Sequence, residues 1–193
     1  GDGLTSLALR NACERFGIDM IINIFCEIDK FATQGYRALH PDVIEWVEDM
    51  TKASFKGRYC DVLLATTPCT GFSELGKKDG FKNVEGNASA IIWHTFRLID
   101  ELEQKPKIIF FENVKAMVGK KNREDFKIFE MELQKRGYKV CYKVLNAKDY
   151  GIPQNRERIY IVATLDNVEF DFPKKEVLKT FLRDILEKDV EPK

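Results

Sequence analysis

Asp61-Val62-Leu63-Leu64-Ala65-Thr66-Thr67-Pro68-Cys69 reads as a buried strand that ends, through a stiff turn, in a thiol. The short apolar run with β-branched content, closed by a turn signal, is the pattern of a strand inside a parallel sheet. Pro68 fixes its own φ and biases Thr67 toward extended backbone, so Cys69 is held stiffly where the strand has just ended. In open α/β sheets that edge is where ligands bind. Taken alone, Cys69 would read as a small buried hydrophobe; the rest of the chain decides otherwise.

On the far side of Cys69, Lys107-Ile108-Ile109-Phe110-Phe111 predicts a second buried strand that ends in Glu112-Asn113-Val114. A carboxyl group at such a tip is poorly solvated, so its pKa is expected to rise, and it lies on the same edge as the thiol. Beyond a helix over 123–136 and a strand over 138–145, the turn Asp149-Tyr150-Gly151-Ile152-Pro153-Gln154-Asn155-Arg156-Glu157-Arg158 leads into the strand 159–163. Arg156 and Arg158 are two apart, which in extended backbone puts them on one face. Beside a thiol and a carboxylate they suit phosphate or carbonyl recognition. Between the two strands, residues 88–103 predict an amphipathic helix, and the polar, glycine-rich 76–87 a loop able to close over a substrate.

Toward the start, Gly1-Asp2-Gly3-Leu4 precedes a helix, and Ile21-Ile22-Asn23-Ile24-Phe25-Cys26 predicts a strand ending in Glu27-Ile28-Asp29. A glycine turn, a helix, a strand and an acid at its tip is the order of a nucleotide-type cofactor site. Lys30 to Leu39 predicts a helix closed by His40-Pro41, with His40 a surface turn residue, and Glu48-Asp49-Met50-Thr51 a loop after a further short strand. The tail carries Val177, Phe181, Leu182 and Ile185 at helical spacing.

Composition bounds these readings. The 193 residues suffice for one well-buried domain, and 31 basic against 31 acidic residues exclude a polycation, so any attraction to nucleic acid must be local. No apolar run approaches the length of a membrane span. Five scattered cysteines without a CxxC pair argue for a reducing compartment and against a disulfide frame or a structural zinc site.

Taken in order, Pro68-Cys69, Glu112-Asn113-Val114 and Gln154-Asn155-Arg156-Glu157-Arg158 resemble the proline-cysteine, ENV and QxRxR motifs of the DNA (cytosine-5) methyltransferases. The similarity extends over Gly1 to Leu4, Glu27 to Asp29, Asp49 and Asn146 to Pro153. Thr70 and Ile28 depart from the usual family residues. The resemblance implies a Rossmann-like class I methyltransferase fold, α/β with a mostly parallel central sheet and helices on both faces. It also implies that residues 1–193 are a partial catalytic domain, incomplete at both termini and without the target-recognition domain.

What the resemblance implies about function is specific. Cys69, Glu112 and Arg158 would be catalytic. Asp2, Gly3, Leu4, Glu27, Ile28, Asp49, Met50 and Pro68 would bind S-adenosylmethionine, leaving S-adenosylhomocysteine, with no metal. Ser73, Lys77, Gln154 and Arg156 would meet DNA. The partners would be double-stranded DNA and a segment or second polypeptide carrying the recognition domain, with no membrane. The setting would be a cytoplasmic restriction–modification system. The alternatives are a non-catalytic relative, which the intact Cys69, Glu112, Arg156 and Arg158 disfavour, half of a split enzyme acting as a binding module, and an RNA cytosine methyltransferase.

Overall fold

The structure, a computed structural model, describes residues 3–68, 91–166 and 168–186. Strands and helices alternate through the first half: α1 (Leu4–Arg15), β1 (Ile24–Cys26), α2 (Lys30–Leu39), β2 (Glu45–Val47), β3 (Val62–Ala65), α3 (Ile91–Glu101) and β4 (Ile108–Val114). Then follow α4 (Arg123–Lys135), β5 (Lys139–Asn146), β6 (Glu157–Thr164) and the single turn α5 (Leu182–Ile185). The alternation builds parallel pairs, β1 on β2 and β3 on β4, because a strand that returns through a helix runs the same way as its neighbour.

The strands form a pair, β1-β2, and a four-stranded sheet in the order β3-β4-β6-β5. Strand β6 is antiparallel to both β4 and β5, so β3, β4 and β5 run one way and β6 alone runs the other. The α/β class and the mostly parallel direction are those the sequence implies. The sheet, expected as one, lies in two pieces among the described residues.

One face of the larger sheet carries the main core. Ile109 and Phe111 of β4 stand in register with Ala163 and Ile161 of β6, and all four are buried. Ile92, Phe96 and Ile99 of α3 and Phe126, Phe129 and Leu133 of α4 close over them. Burying each of these larger side chains contributes on the order of 2 kcal/mol, which fixes β4 and β6 against one another. The alternate residues of β4, Phe110, Glu112 and Val114, therefore face the other way, with Val162, Tyr160 and Arg158 opposite them.

Two local expectations need correction. The tail is helical, among its described residues, only over Leu182–Ile185. Its backbone is drawn instead to the 147–150 turn, where Glu176 N donates to Asp149 O at 2.8 Å, Lys175 pairs with Asp149 at 2.7 Å, and Tyr150 donates to Pro173 O at 3.3 Å. His40 is fully buried, because the last turn of α2 packs down on Gly3. Its ring lies 4.6 Å from that of Tyr36, and Nε2 is 3.0 Å from the Gly3 carbonyl.

No helix among the described residues is long and apolar enough to cross a membrane.

Candidate active site

The tips of β4 and β6 bring the predicted acid and the predicted guanidinium together. Glu112 is in register with Tyr160, and Arg158 is its diagonal neighbour on the same face. Arg158 Nε reaches Glu112 Oε1 at 3.1 Å, with both side chains about a quarter exposed, at 23% and 24%. The apolar surroundings expected for Glu112 are thus corrected: the carboxyl group meets a cation, and both remain open to a ligand. Tyr160, which the sequence reading passed over, stands directly across from Glu112 and two residues along β6 from Arg158. Its hydroxyl pKa is raised by burial and by the charge of Glu112, against the opposing pull of Arg156 and Arg158.

Asn113, on the buried face of β4, was also missed. Its Nδ2 donates to the Thr67 carbonyl at 3.2 Å, while its Oδ1 accepts from Val114 N at 2.9 Å. At 4% exposure it ties the acid-bearing strand to the segment Thr67-Pro68 that leads into Cys69. Pro68 is itself exposed. Cys69, Ser73, Lys77 and Asp2 lie outside the described residues.

Arg156 comes just before β6 with its side chain exposed. Its backbone is fixed, since Arg156 O accepts from Ala147 N at 3.0 Å and Arg156 N donates to Asn146 Oδ1 at 3.1 Å. Gln154 is exposed on the same turn, its amide donating to Ile152 O at 2.7 Å.

A second group gathers beyond β1 and β2. Glu27 Oε1 accepts from Asp29 N at 2.9 Å, and Asp29 Oδ1 caps α2 by accepting from Ala32 N at 2.7 Å, so of the two acids Asp29 serves the helix. Asp49 is oriented by Thr51, whose amide and hydroxyl both donate to Oδ1, at 2.9 and 2.7 Å. Those bonds hold its carboxyl below the ordinary range.

Ile28, Val47, Glu48, Asp49, Lys52 and Ala53 line a cavity of about 430 Å³. Ile28, Val47 and Ala53 beside the Asp49 carboxylate, whose Oδ2 also pairs with Lys52 at 3.4 Å, suit a flat group that donates hydrogen bonds, the character of an adenine ring with its amino group. Met50 packs behind, with Phe55 and Ile24. Gly3 opens α1 at φ 90, where an added Cβ would come within 2.8 Å of the Tyr36 ring, so only glycine makes this turn. Leu4 follows as the exposed first residue of the helix.

Burial raises the thiols of Cys26 and Cys60 to about 11, with the charges of Glu27 and Asp49 adding to it at Cys26 and that of Asp61 at Cys60. Among the described residues no three His, Cys, Asp or Glu side chains cluster to hold a metal.

A family model for the C-5 cytosine-specific DNA methylases matches residues 2–193. The chain is 44% identical over 131 residues to the Type II methyltransferase M.Bsp6I of Bacillus sp. (strain RFL6), covering 65% of this chain and 40% of that protein. It is 37% identical over 173 residues to M.SsoII of Shigella sonnei, covering 86% of this chain and 44% of the relative. The chain thus spans less than half the length of these curated relatives. In fold it is similar to the Entamoeba histolytica methyltransferase EhMeth, with TM-score 0.74 at 24% identity, over 95% of this chain and 57% of that one.

Proposed function

The chain belongs to the C-5 cytosine-specific DNA methylase family, and from that premise we propose that it carries the catalytic portion of an enzyme that methylates carbon 5 of cytosine in duplex DNA. The observation that carries this reading is the Glu112–Arg158 pair at 3.1 Å, on strands that Asn113 ties to the approach to Cys69. An acid and a guanidinium side by side offer one cytosine a partner at nitrogen 3 and another at its carbonyl oxygen.

Carbon 5 of cytosine is a poor nucleophile until a thiolate adds at carbon 6, and Cys69 is the residue for that addition. Glu112 supplies a proton or hydrogen bond at nitrogen 3 as charge enters the ring. Arg158 holds the carbonyl oxygen, while Arg156 and Gln154 face the DNA backbone from the turn ahead of β6. A base such as water takes the carbon 5 proton, and elimination then expels Cys69 as its thiolate, restoring the enzyme. A stacked base cannot reach these groups, so the cytosine is flipped out.

S-adenosylmethionine, when bound, supplies an electrophilic methyl group. Asp49 would accept from its adenine amino group and Glu27 from its ribose hydroxyls. Ile28, Met50 and Pro68 would form apolar walls, and Asp2, Gly3 and Leu4 would meet the methionine end. The Type II relatives support a place in a cytoplasmic restriction–modification system. We assign residues 1–193 to the catalytic domain, with sequence choice residing in another segment or polypeptide.

The deciding experiment is transfer of labelled methyl from S-adenosylmethionine to duplex DNA by the full-length protein and its Cys69→Ser variant. Transfer by the first and none by the second is expected; equal transfer by both removes the mechanism.

A further inference from the structure

The wall of the Asp49 cavity leans on α3. Locally, Lys52 N and Ala53 N donate to Asp49 O, both at 3.1 Å, and Thr51 bonds Asp49 Oδ1, while the Met50 carbonyl, the Ala53 carbonyl and the Phe55 amide turn to α3. Arg97 Nη2 donates to the Met50 carbonyl at 2.8 Å and Nη1 to the Ala53 carbonyl at 2.9 Å. Glu101 Oε2 accepts from the Phe55 amide at 2.8 Å, while Oε1 accepts from Arg97 Nη1 at 2.5 Å. Residues four apart share a helix face, so a single ion pair grips three backbone groups of the loop. Phe55 completes the joint by packing on Leu98 and Leu102 of the same stretch.

We propose that Arg97 is a positioning residue for the cofactor and that Glu101 shares the task. Their fork on the backbone of Met50, Ala53 and Phe55 holds Asp49 and Ala53 in the shape that receives adenosine. This rests on the reading of the Asp49 cavity given above. The planar guanidinium matters because it reaches two carbonyls at fixed separation while also meeting a carboxylate, which a lysine ammonium does in a different geometry. Helix α3 also buries Ile92, Phe96 and Ile99 beneath the sheet that carries Glu112, so it serves both the cofactor side and the catalytic side.

The test is calorimetric titration of S-adenosylhomocysteine into the full-length protein and its Arg97→Gln, Arg97→Lys, Glu101→Gln and Asp49→Ala variants, with melting temperatures taken without ligand. Arg97→Gln is expected to weaken binding about tenfold and to raise KM for the methyl donor by the same factor, leaving kcat at saturation close to the parent and lowering the ligand-free melting temperature only slightly. Arg97→Lys should recover part of the affinity, and Glu101→Gln should lose affinity in the same direction. If Asp49→Ala weakens binding and Arg97→Gln does not, the proposal is overturned while the cavity reading stands. If Asp49→Ala leaves affinity unchanged, the cavity reading falls and this proposal with it. A drop in kcat and melting temperature alongside affinity, with no recovery in Arg97→Lys, makes Arg97 a stability residue and overturns the proposal.

Discussion

Glu112 and Arg158 meet across strands that run in opposite directions, Nε to Oε1 at 3.1 Å, as diagonal neighbours rather than as a register pair. Each therefore sets the other's position. Glu112→Gln keeps the shape and removes the charge, and should lower kcat for methyl transfer by about 100-fold or more, the scale of a lost acid–base group. In a cycle of Glu112→Ala and Arg158→Ala, the joint loss should be smaller than the sum of the single losses. Strict additivity would mean that the two act on the base independently.

Asn113 spans the joint between β4 and the approach to Cys69. Asn113→Leu would leave the Thr67 carbonyl and the Val114 amide without this partner, at a cost of about 1–3 kcal/mol in stability. It should also lower kcat by a larger factor than it weakens the affinity for S-adenosylhomocysteine. Urea unfolding together with calorimetry separates the two effects.

Thiol reactivity should be sharply graded. Cys26 and Cys60 have values raised to about 11, so at pH 8 they are almost wholly protonated and alkylate slowly. Cys69, in its proposed role, should react first with iodoacetamide. Peptide mass spectrometry of a timed reaction reads the order directly, and early labelling of Cys60 would contradict the burial argument.

On the acid side, Glu101 is held below its ordinary 4.5 by the Phe55 amide and by Arg97, and Glu132 by Lys135 and Arg136. A depressed carboxyl stabilises the fold above its unfolded value, and that contribution is lost as pH falls through the folded-state value. Unfolding midpoints should therefore drop below about pH 4.5, and Glu101→Gln should flatten part of that fall.

Phe129 lies at the centre of the aromatic core, 5.1 Å from Phe111 and 5.5 Å from Phe96 by ring centroids, and is 1% exposed. Phe129→Ala should cost about 3–5 kcal/mol, read as a lowered denaturation midpoint.

Much of this was legible in the sequence because it is local. The apolar runs at 62–65 and 108–111 are strands, and the acid and arginines after them sit where strand ends place them. What stayed hidden depends on contacts between distant segments. Nothing in Asn113 itself announces that it donates to Thr67, nor in Arg97 that it takes the carbonyls of Met50 and Ala53. His40 was misjudged for a related reason: proline after it signals a turn, but whether that turn faces water depends on Gly3, far off in the chain. In the tail, helical spacing lost to bonds with the 149–150 turn that no periodicity encodes.

The alternation along β4 has a consequence for how this chain can change. Ile109, Phe111 and Asn113 point one way, and Phe110, Glu112 and Val114 the other. Inserting or deleting one residue anywhere between Ile108 and Val114 would exchange the two sets, sending the carboxylate inward and the phenylalanine of the core out to water. Length in this segment is therefore frozen: substitutions there can be tolerated one at a time, but a shift in count would end folding and chemistry in a single step.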